Sequence, residues 1–477
     1  MNRRLLSALA LGVILPLPGS LIAQAPWEVN APIVSVSRQL YKAHPKPKVA
    51  VNVTRKYVGP GLELEEMMSW QAASDTPYHP QRRWSSDNGR TWSDFEPLPE
   101  TISHIGSARI YWGAGSVAYD SASRKTVSIW LRQTQLGDGR AYNHCFLRIS
   151  ENLGRTWGGP QLLKYEPGAD LDPADPLNSD FLNNNQAYFP QNIELLRDES
   201  LLVAGAAACI GDDVSLSELN PHNISAYFAP ADSRNLGGVN FVGRWNPGEA
   251  RYDWTASDVI WAPRHVASRG LMEPSVAELT DGRWLTVYRC SNQNITDHDD
   301  GRKRYTLSTE GGTTLSDLME LAYDDGTRFY SPSSIHQLIR HSQTGKLYWI
   351  GNISTSPVNG NLPRYPLVIA EVDEVNVALK RDTVTLIDTR RSGESSSLQL
   401  SNFSVIENRQ TNQFEIMLTR LGADPSDFWG SDVYRYTLTL PSTVPSEDYL
   451  EKKQNNRNAQ RDGRLRESSA FVFRAVH

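Results

Sequence analysis

The octapeptide Ser85-Ser86-Asp87-Asn88-Gly89-Arg90-Thr91-Trp92 constrains the fold more than any other stretch, because it matches Ser-x-Asp-x-Gly-x-Thr-Trp at every fixed position. This pattern is an Asp-box. It recurs as Ser150-Glu151-Asn152-Leu153-Gly154-Arg155-Thr156-Trp157, and in degenerate form as Ser308-Thr309-Glu310-Gly311-Gly312-Thr313-Thr314-Leu315. An Asp or Asn at the third position can accept backbone N–H bonds inside a tight turn, and Gly supplies a positive φ that other residues resist. The Trp then packs beneath the turn. Three copies in one chain mark a repeated β-hairpin unit, and repeats of several short strands predict a β-propeller. The motif speaks for architecture and leaves the chemistry open.

A second repeat, an apolar stretch followed by a polar turn and an alternating strand, supports the same fold. The turn at 121–124 leads to Val127, Ile129 and Leu131, and that at 197–200 to Leu201 and Val203. Asp281-Gly282 leads to Trp284 and Val287, Thr344-Gly345 to Leu347 and Trp349, and the turn at 411–413 to Phe414, Ile416 and Leu418. A recurrence of roughly 60 to 80 residues suits four-stranded blades with long loops. These hairpins imply five blades, and residues 49–92 supply a sixth. The last alternating strand, Tyr434, Tyr436, Leu438 and Leu440, is expected to close the ring with N-terminal residues, since closure removes open sheet edges. The expectation is an all-β, six-bladed propeller over residues 26–445, with seven blades as the other count. Segments 165–185 and 210–248, rich in Pro, Asp, Asn and Gly, read as long loops, and 446–477 as a polar tail.

The chain of 477 residues has a formal net charge of -6 and no polybasic stripe, which argues against nucleic acid or an anionic membrane as partner. Residues 1–25 read as a secretory signal: Arg3 and Arg4, an apolar run over 5–17, and the small-residue site Ala23-Gln24-Ala25. Export to the periplasm or medium is therefore expected. No other stretch approaches the roughly 20 apolar residues that span a bilayer, so no membrane insertion is expected. Cys145, Cys209 and Cys290 are too few and too widely spaced for a disulfide framework or a zinc site. No nucleotide-binding glycine pattern, His-Glu-x-x-His or EF-hand loop is present, so neither cofactor nor metal is implied. A monomer is the simplest expectation.

Beyond the Asp-boxes, the segment Arg269-Gly270-Leu271-Met272-Glu273-Pro274, followed by Leu279-Thr280-Asp281-Gly282-Arg283-Trp284 and then Arg289, resembles the Glu-Pro strand, Asp-Gly turn and Arg strand of the sialidase (neuraminidase) superfamily. The resemblance extends over most of the sequence. In that family the Glu polarises a nucleophilic Tyr and the Arg belongs to a triad gripping the substrate carboxylate; the resemblance places these roles on Glu273 and Arg289. Asn361-Leu362-Pro363-Arg364-Tyr365-Pro366-Leu367 is similar to the family's Arg-x-Pro-Leu element, which places another triad Arg at Arg364. Asp75, in Ser74-Asp75-Thr76-Pro77-Tyr78, lies shortly before the first Asp-box, where the family carries its acid/base Asp. The residue types suit the chemistry. A guanidinium fork binds a carboxylate bidentately, and a carboxyl group whose pKa is raised by burial can protonate a glycosidic oxygen. The other readings are a structural Glu273–Arg289 ion pair within one blade, a loop arginine at Arg364, and an ordinary Asx-turn at Asp75.

Two departures qualify the resemblance. No Arg-Ile-Pro element opens the first blade, leaving Arg55, in Val53-Thr54-Arg55-Lys56, as candidate for the remaining substrate arginine. Where the family places its Tyr, this chain reads Leu398-Gln399-Leu400-Ser401-Asn402-Phe403-Ser404, with Leu400 at the position. An alkyl group cannot attack an anomeric carbon, so a covalent mechanism would need Tyr188 or Tyr365 from another loop, and activated water is the alternative. The leading expectation is an exported glycoside hydrolase removing a terminal acidic sugar, most simply α-linked sialic acid, from a glycan. A polysaccharide lyase on uronate-containing glycans, using His144 and Tyr188, is a second reading. A non-catalytic glycan-binding propeller is a third, and one scaffold can host all three.

Overall fold

The computed structural model describes residues 25–74, 77–98, 102–188, 190–209, 235–263, 265–292, 301–309 and 311–441. Its named strands fall into six antiparallel sheets that follow one another as blades. Blades 1 to 5 cover 50–97, 102–162, 187–256, 272–320 and 337–388, and blade 6 combines 403–439 with an N-terminal strand. Strands from the early part of neighbouring blades touch. Ala50–Tyr57 contacts Ala108–Asp120 on one side and Phe403–Glu407 on the other, while Met272–Glu278 contacts Glu194–Leu195 and Gln337–Arg340. These innermost strands therefore surround the ring axis. The architecture is a six-bladed β-propeller.

Ring closure follows the pattern of the last strand. Ser35–Lys42 pairs antiparallel with Val433–Thr439, Ser35 facing Thr439 and Leu40 facing Tyr434. Tyr436 and Leu438 are buried on one face with Phe414, Ile416 and Leu418, the alternation that a period of two requires. The hairpins anticipated at 121–124, 197–200, 281–282, 344–345 and 411–413 each separate two paired strands.

The tight turns are held as their side chains dictate. Asp87 accepts from the Thr91 N–H at 2.8 Å and from the Thr91 hydroxyl at 2.6 Å, and Ser85 Oγ accepts from the Gly89 N–H at 2.8 Å. These donors hold the Asp87 carboxyl down at about 2. Asn152 accepts from the Thr156 N–H at 2.9 Å and Ser150 from the Gly154 N–H at 2.9 Å. A shared backbone bond closes all three turns: Ser93 to Trp84, Gly158 to Ile149 and Ser316 to Leu307, at 2.9, 2.8 and 2.8 Å. Gly89 has φ +81°, and a Cβ there would lie 3.1 Å from Trp92 Cζ2. Glycine serves both the turn and the ring beneath it.

One expectation is corrected. Segment 210–248 is not loop throughout, because Asn235–Asn246 is a strand pairing with Leu201–Cys209 and Arg251–Ala256. Its glycines serve close packing: a Cβ at Gly238 would fall 2.4 Å from the Tyr288 hydroxyl oxygen. Segment 165–185 carries the short helix Ser179–Asn183, capped by the Asn178 side chain, which seats Phe181 and Leu182 against Tyr142, Phe146 and Leu162. Residues 210–234, all but one residue of the proposed signal, and the polar tail lie outside the described residues. Among those described, no helix is long and apolar enough to cross a membrane. Cys145 and Cys290 are buried free thiols.

Candidate functional site

A cavity of about 650 Å³ occupies one end of the ring axis. Glu273 is the second residue of the innermost strand of blade 4, and Arg289 ends the strand beside it, opposite Met272. The register breaks between Met272 and Ser275, and within this bulge Glu273 adopts φ +36°. A non-glycine residue in that region costs on the order of 1–3 kcal/mol, and such strain clusters at functional sites. The bulge carries the Glu273 carboxylate to the Arg289 guanidinium, with which it forms an ion pair.

Blade 5 and its preceding loop fix the arginines. Arg289 Nε donates to Ser333 Oγ at 3.1 Å and Nη2 to Asn361 Oδ1 at 3.4 Å. Arg364 Nε donates to the Asn361 carbonyl at 3.0 Å, Nη1 to Gln399 Oε1 at 2.9 Å, and Nη2 to the Ser333 carbonyl at 3.3 Å. Ser333 and Asn361 thus bond both arginines and set their relative position. Beneath them Lys303, paired in register with Arg289, donates to the carbonyls of Pro332 at 3.0 Å and Ser334 at 2.7 Å. Burial, and then the Arg289 charge, push the Lys303 ammonium down to about 7.

Arg269 is the third guanidinium in the wall, so three cationic groups meet one carboxylate among the described lining residues. Burial pushes the Glu273 carboxyl up, but Arg289, with smaller contributions from Arg364 and Arg269, holds it below the usual carboxylate range. Glu273 is therefore ionised at neutral pH and can accept a proton. Among the described lining residues the guanidinium groups therefore outnumber the carboxylate.

The other nominated residues are placed as follows. Asp75 lies outside the described residues, but Ser74, which precedes it, lines the cavity. Tyr188 lines it too, and is the only tyrosine among the described lining residues. His144, nominated as its lyase partner, does not line it: His144 is fully buried, its Nε2 lies 2.9 Å from the Phe181 carbonyl and 3.1 Å from that of Asn184, and its ring stacks on Phe181. Arg55 is also elsewhere. Its Nε donates to Glu66 at 2.8 Å and its Nη1 to Glu415 at 3.3 Å, tying blade 1 to blade 6. Leu400 is fully buried in the core, and its N–H donates to the Arg364 carbonyl at 2.9 Å. Its neighbours Gln399 and Asn402 line the cavity instead. Tyr365 packs against the core of blade 6, with Arg390 over its ring at 5.6 Å.

The lining residues that went unnominated from the sequence include Arg269, Phe428 and Trp429. Arg269 stands at the head of the segment that identified Glu273, and that proximity was the available signal. Among the described residues no group of three or more His, Cys, Asp or Glu could hold a metal ion.

No protein-family profile and no curated protein matches the chain. Solved structures do. A protein of unknown function from Dyadobacter fermentans is 12% identical with a TM-score of 0.53, over 85% of this chain and 99% of that one. An α-L-arabinanase from Penicillium chrysogenum, complexed with arabinobiose, is 12% identical with a TM-score of 0.46, over 86% and 98%. Trypanosoma rangeli sialidase is 10% identical with a TM-score of 0.42, over 84% and 59%. At these identities the likeness is one of fold.

Proposed function

We propose that the protein is a glycoside hydrolase that removes a terminal acidic sugar, most simply an α-linked sialic acid, from glycans. The observation that carries this reading is the convergence of Arg269, Arg289 and Arg364 with an ionised Glu273 in one axial cavity. Each charge-assisted hydrogen bond from such an arginine to a sugar carboxylate contributes about 1.5–3 kcal/mol when desolvated. The arginines fix the sugar's orientation, and Phe428 and Trp429 offer apolar faces to its ring.

Division of labour follows from protonation state. A glutamate held below the ordinary carboxylate range carries no proton to donate, so Glu273 acts as base. The acid must then come from another group, and Asp75, next to the cavity-lining Ser74, is the assignment we make. It protonates the departing glycosidic oxygen. The lyase reading loses its pair, since His144 is locked against backbone carbonyls away from the cavity. A non-catalytic glycan-binding propeller is favoured by one observation, the buried Leu400 where a nucleophile would stand.

The deciding experiment measures free acidic sugar released from a panel of α-linked sialosides and uronosides by the wild-type chain and by Asp75→Asn. Release that the variant loses supports the hydrolase. Saturable binding of the same glycosides without release would replace it with the binding protein.

A further inference from the structure

The ring axis is hollow on both sides of Glu273. A second cavity, of about 780 Å³, is lined by later parts of the innermost strands, including Thr54, Val117, Ile339 and Val405. The first cavity draws instead on residues that precede or open those strands, such as Met272, Ile335 and Asn402. The two cavities therefore stack along the axis. Gln191 and Glu273 line both of them, and Glu273 is the one titratable residue they share among those described.

The two chambers differ in charge. In the lower one Arg55, Lys56 and Arg409 are matched by Glu194, Glu273 and Glu407. Such a balanced lining exerts no net pull on an acidic glycan, yet its polar groups suit water. The upper chamber attracts the acidic sugar, which on binding would cover Glu273 from above. With Leu400 buried and no tyrosine delivered by that strand, attack on the anomeric carbon falls to water or to Tyr188; Tyr188 lines the upper chamber alone, and water is the group that the lower chamber can bring to Glu273.

We propose that water reaches Glu273 through the lower chamber, so that hydrolysis is a single displacement that inverts the anomeric carbon. This rests on the hydrolase reading above. Water's oxygen bonds to the anomeric carbon as the bond to the glycosidic oxygen breaks. Glu273 takes a proton from the water, and the departing oxygen takes the proton of the acid, Asp75. Inversion requires the base and its water on the face of the sugar opposite the acid, and the lower chamber supplies the water side of that arrangement. The proton on Glu273 then returns to solvent by the lower chamber.

The first test follows the newly released sugar by proton NMR before mutarotation, with methanol added as a competing acceptor. The expected result is the anomer opposite to that of the glycoside, and no methyl glycoside. A retained anomer or a methyl glycoside would overturn the single displacement while leaving the hydrolase standing. A second test fills the lower chamber with Thr54→Trp or Val117→Trp, both positions half-buried. Folded variants should lose at least about ten-fold in kcat, with KM and the affinity for free sialic acid unchanged; unaltered kcat overturns the water route. If the tryptophan variants do not fold, Val117→Met fills the chamber more mildly under the same criteria. Cleavage of no acidic glycoside at all would instead remove the hydrolase reading, and this inference with it.

Discussion

Two arginine–glutamate clusters in the propeller differ in balance. Between blades 1 and 6, Arg55 and Arg83 face Glu66 and Glu415, with the Tyr41 hydroxyl donating to Glu66 at 2.6 Å. Glu66 is 1% exposed at its side chain, and each of its oxygens is bonded to an arginine. In the axial cavity three guanidinium groups, one of them ion-paired with Glu273, accompany one carboxylate among the described lining residues. The matched cluster is satisfied within the fold. The other holds more guanidinium than carboxylate among the described residues, which under the proposed function leaves it to attract an anion from outside; an arginine's role here then follows its counter-charge rather than its motif.

The contrast can be broken by exchanging the effects of the two glutamates. Glu273→Gln is expected to lower kcat by about 10²–10⁴-fold, the usual span for loss of a general base, with little change in unfolding free energy. Glu66→Ala should do the reverse. It leaves the buried Arg55 and the partly exposed Arg83 short of a carboxylate and should cost about 3–5 kcal/mol, read by urea unfolding. A Glu273→Gln variant destabilised as much as Glu66→Ala would erase the distinction.

Arg289→Ala sharpens the comparison through pH. Affinity for free sialic acid, measured by calorimetry, should weaken by roughly 10- to 100-fold, the range of one charge-assisted hydrogen bond. The Glu273 carboxyl is held below its ordinary value chiefly by Arg289, so turnover is retained at neutral pH and falls only as pH drops through that depressed value. Removing Arg289 should move the acid limb of the pH–kcat profile to higher pH. A limb that stays in place would show that Arg364 and Arg269 suffice. The smallest effect is expected at Gly89→Ala, which should cost about 1 kcal/mol or slightly more through its positive φ and the Trp92 ring, with sugar affinity unchanged.

Blades were legible in the sequence because hairpin turns are written locally. Asp87, Gly89 and Thr91 complete their bonds within five residues, and Asp281-Gly282 stands between the strands it joins. The cavity was legible where strands of one blade carried it, as with Glu273 and Arg289. Partners remote in sequence were not. Arg55 read as a substrate arginine because its partner Glu415 lies 360 positions away. Likewise Asn235–Asn246 read as loop because the reason for its glycines is Tyr288, on the next blade. His144 looked available for chemistry until the helix Ser179–Asn183 brought Phe181 over its ring.

The pairing of Ser35–Lys42 with Val433–Thr439 has a consequence for the order of assembly. The strand that completes blade 6 is among the first to emerge during synthesis and waits for nearly the whole chain before it finds its neighbour. Blades can mature one by one, but the circle is clasped last. A circular permutant with the native ends joined and new ends at the 344–345 hairpin would keep every blade while shifting that final clasp to blade 5. Its refolding rate would report how far the late pairing governs folding of the native chain.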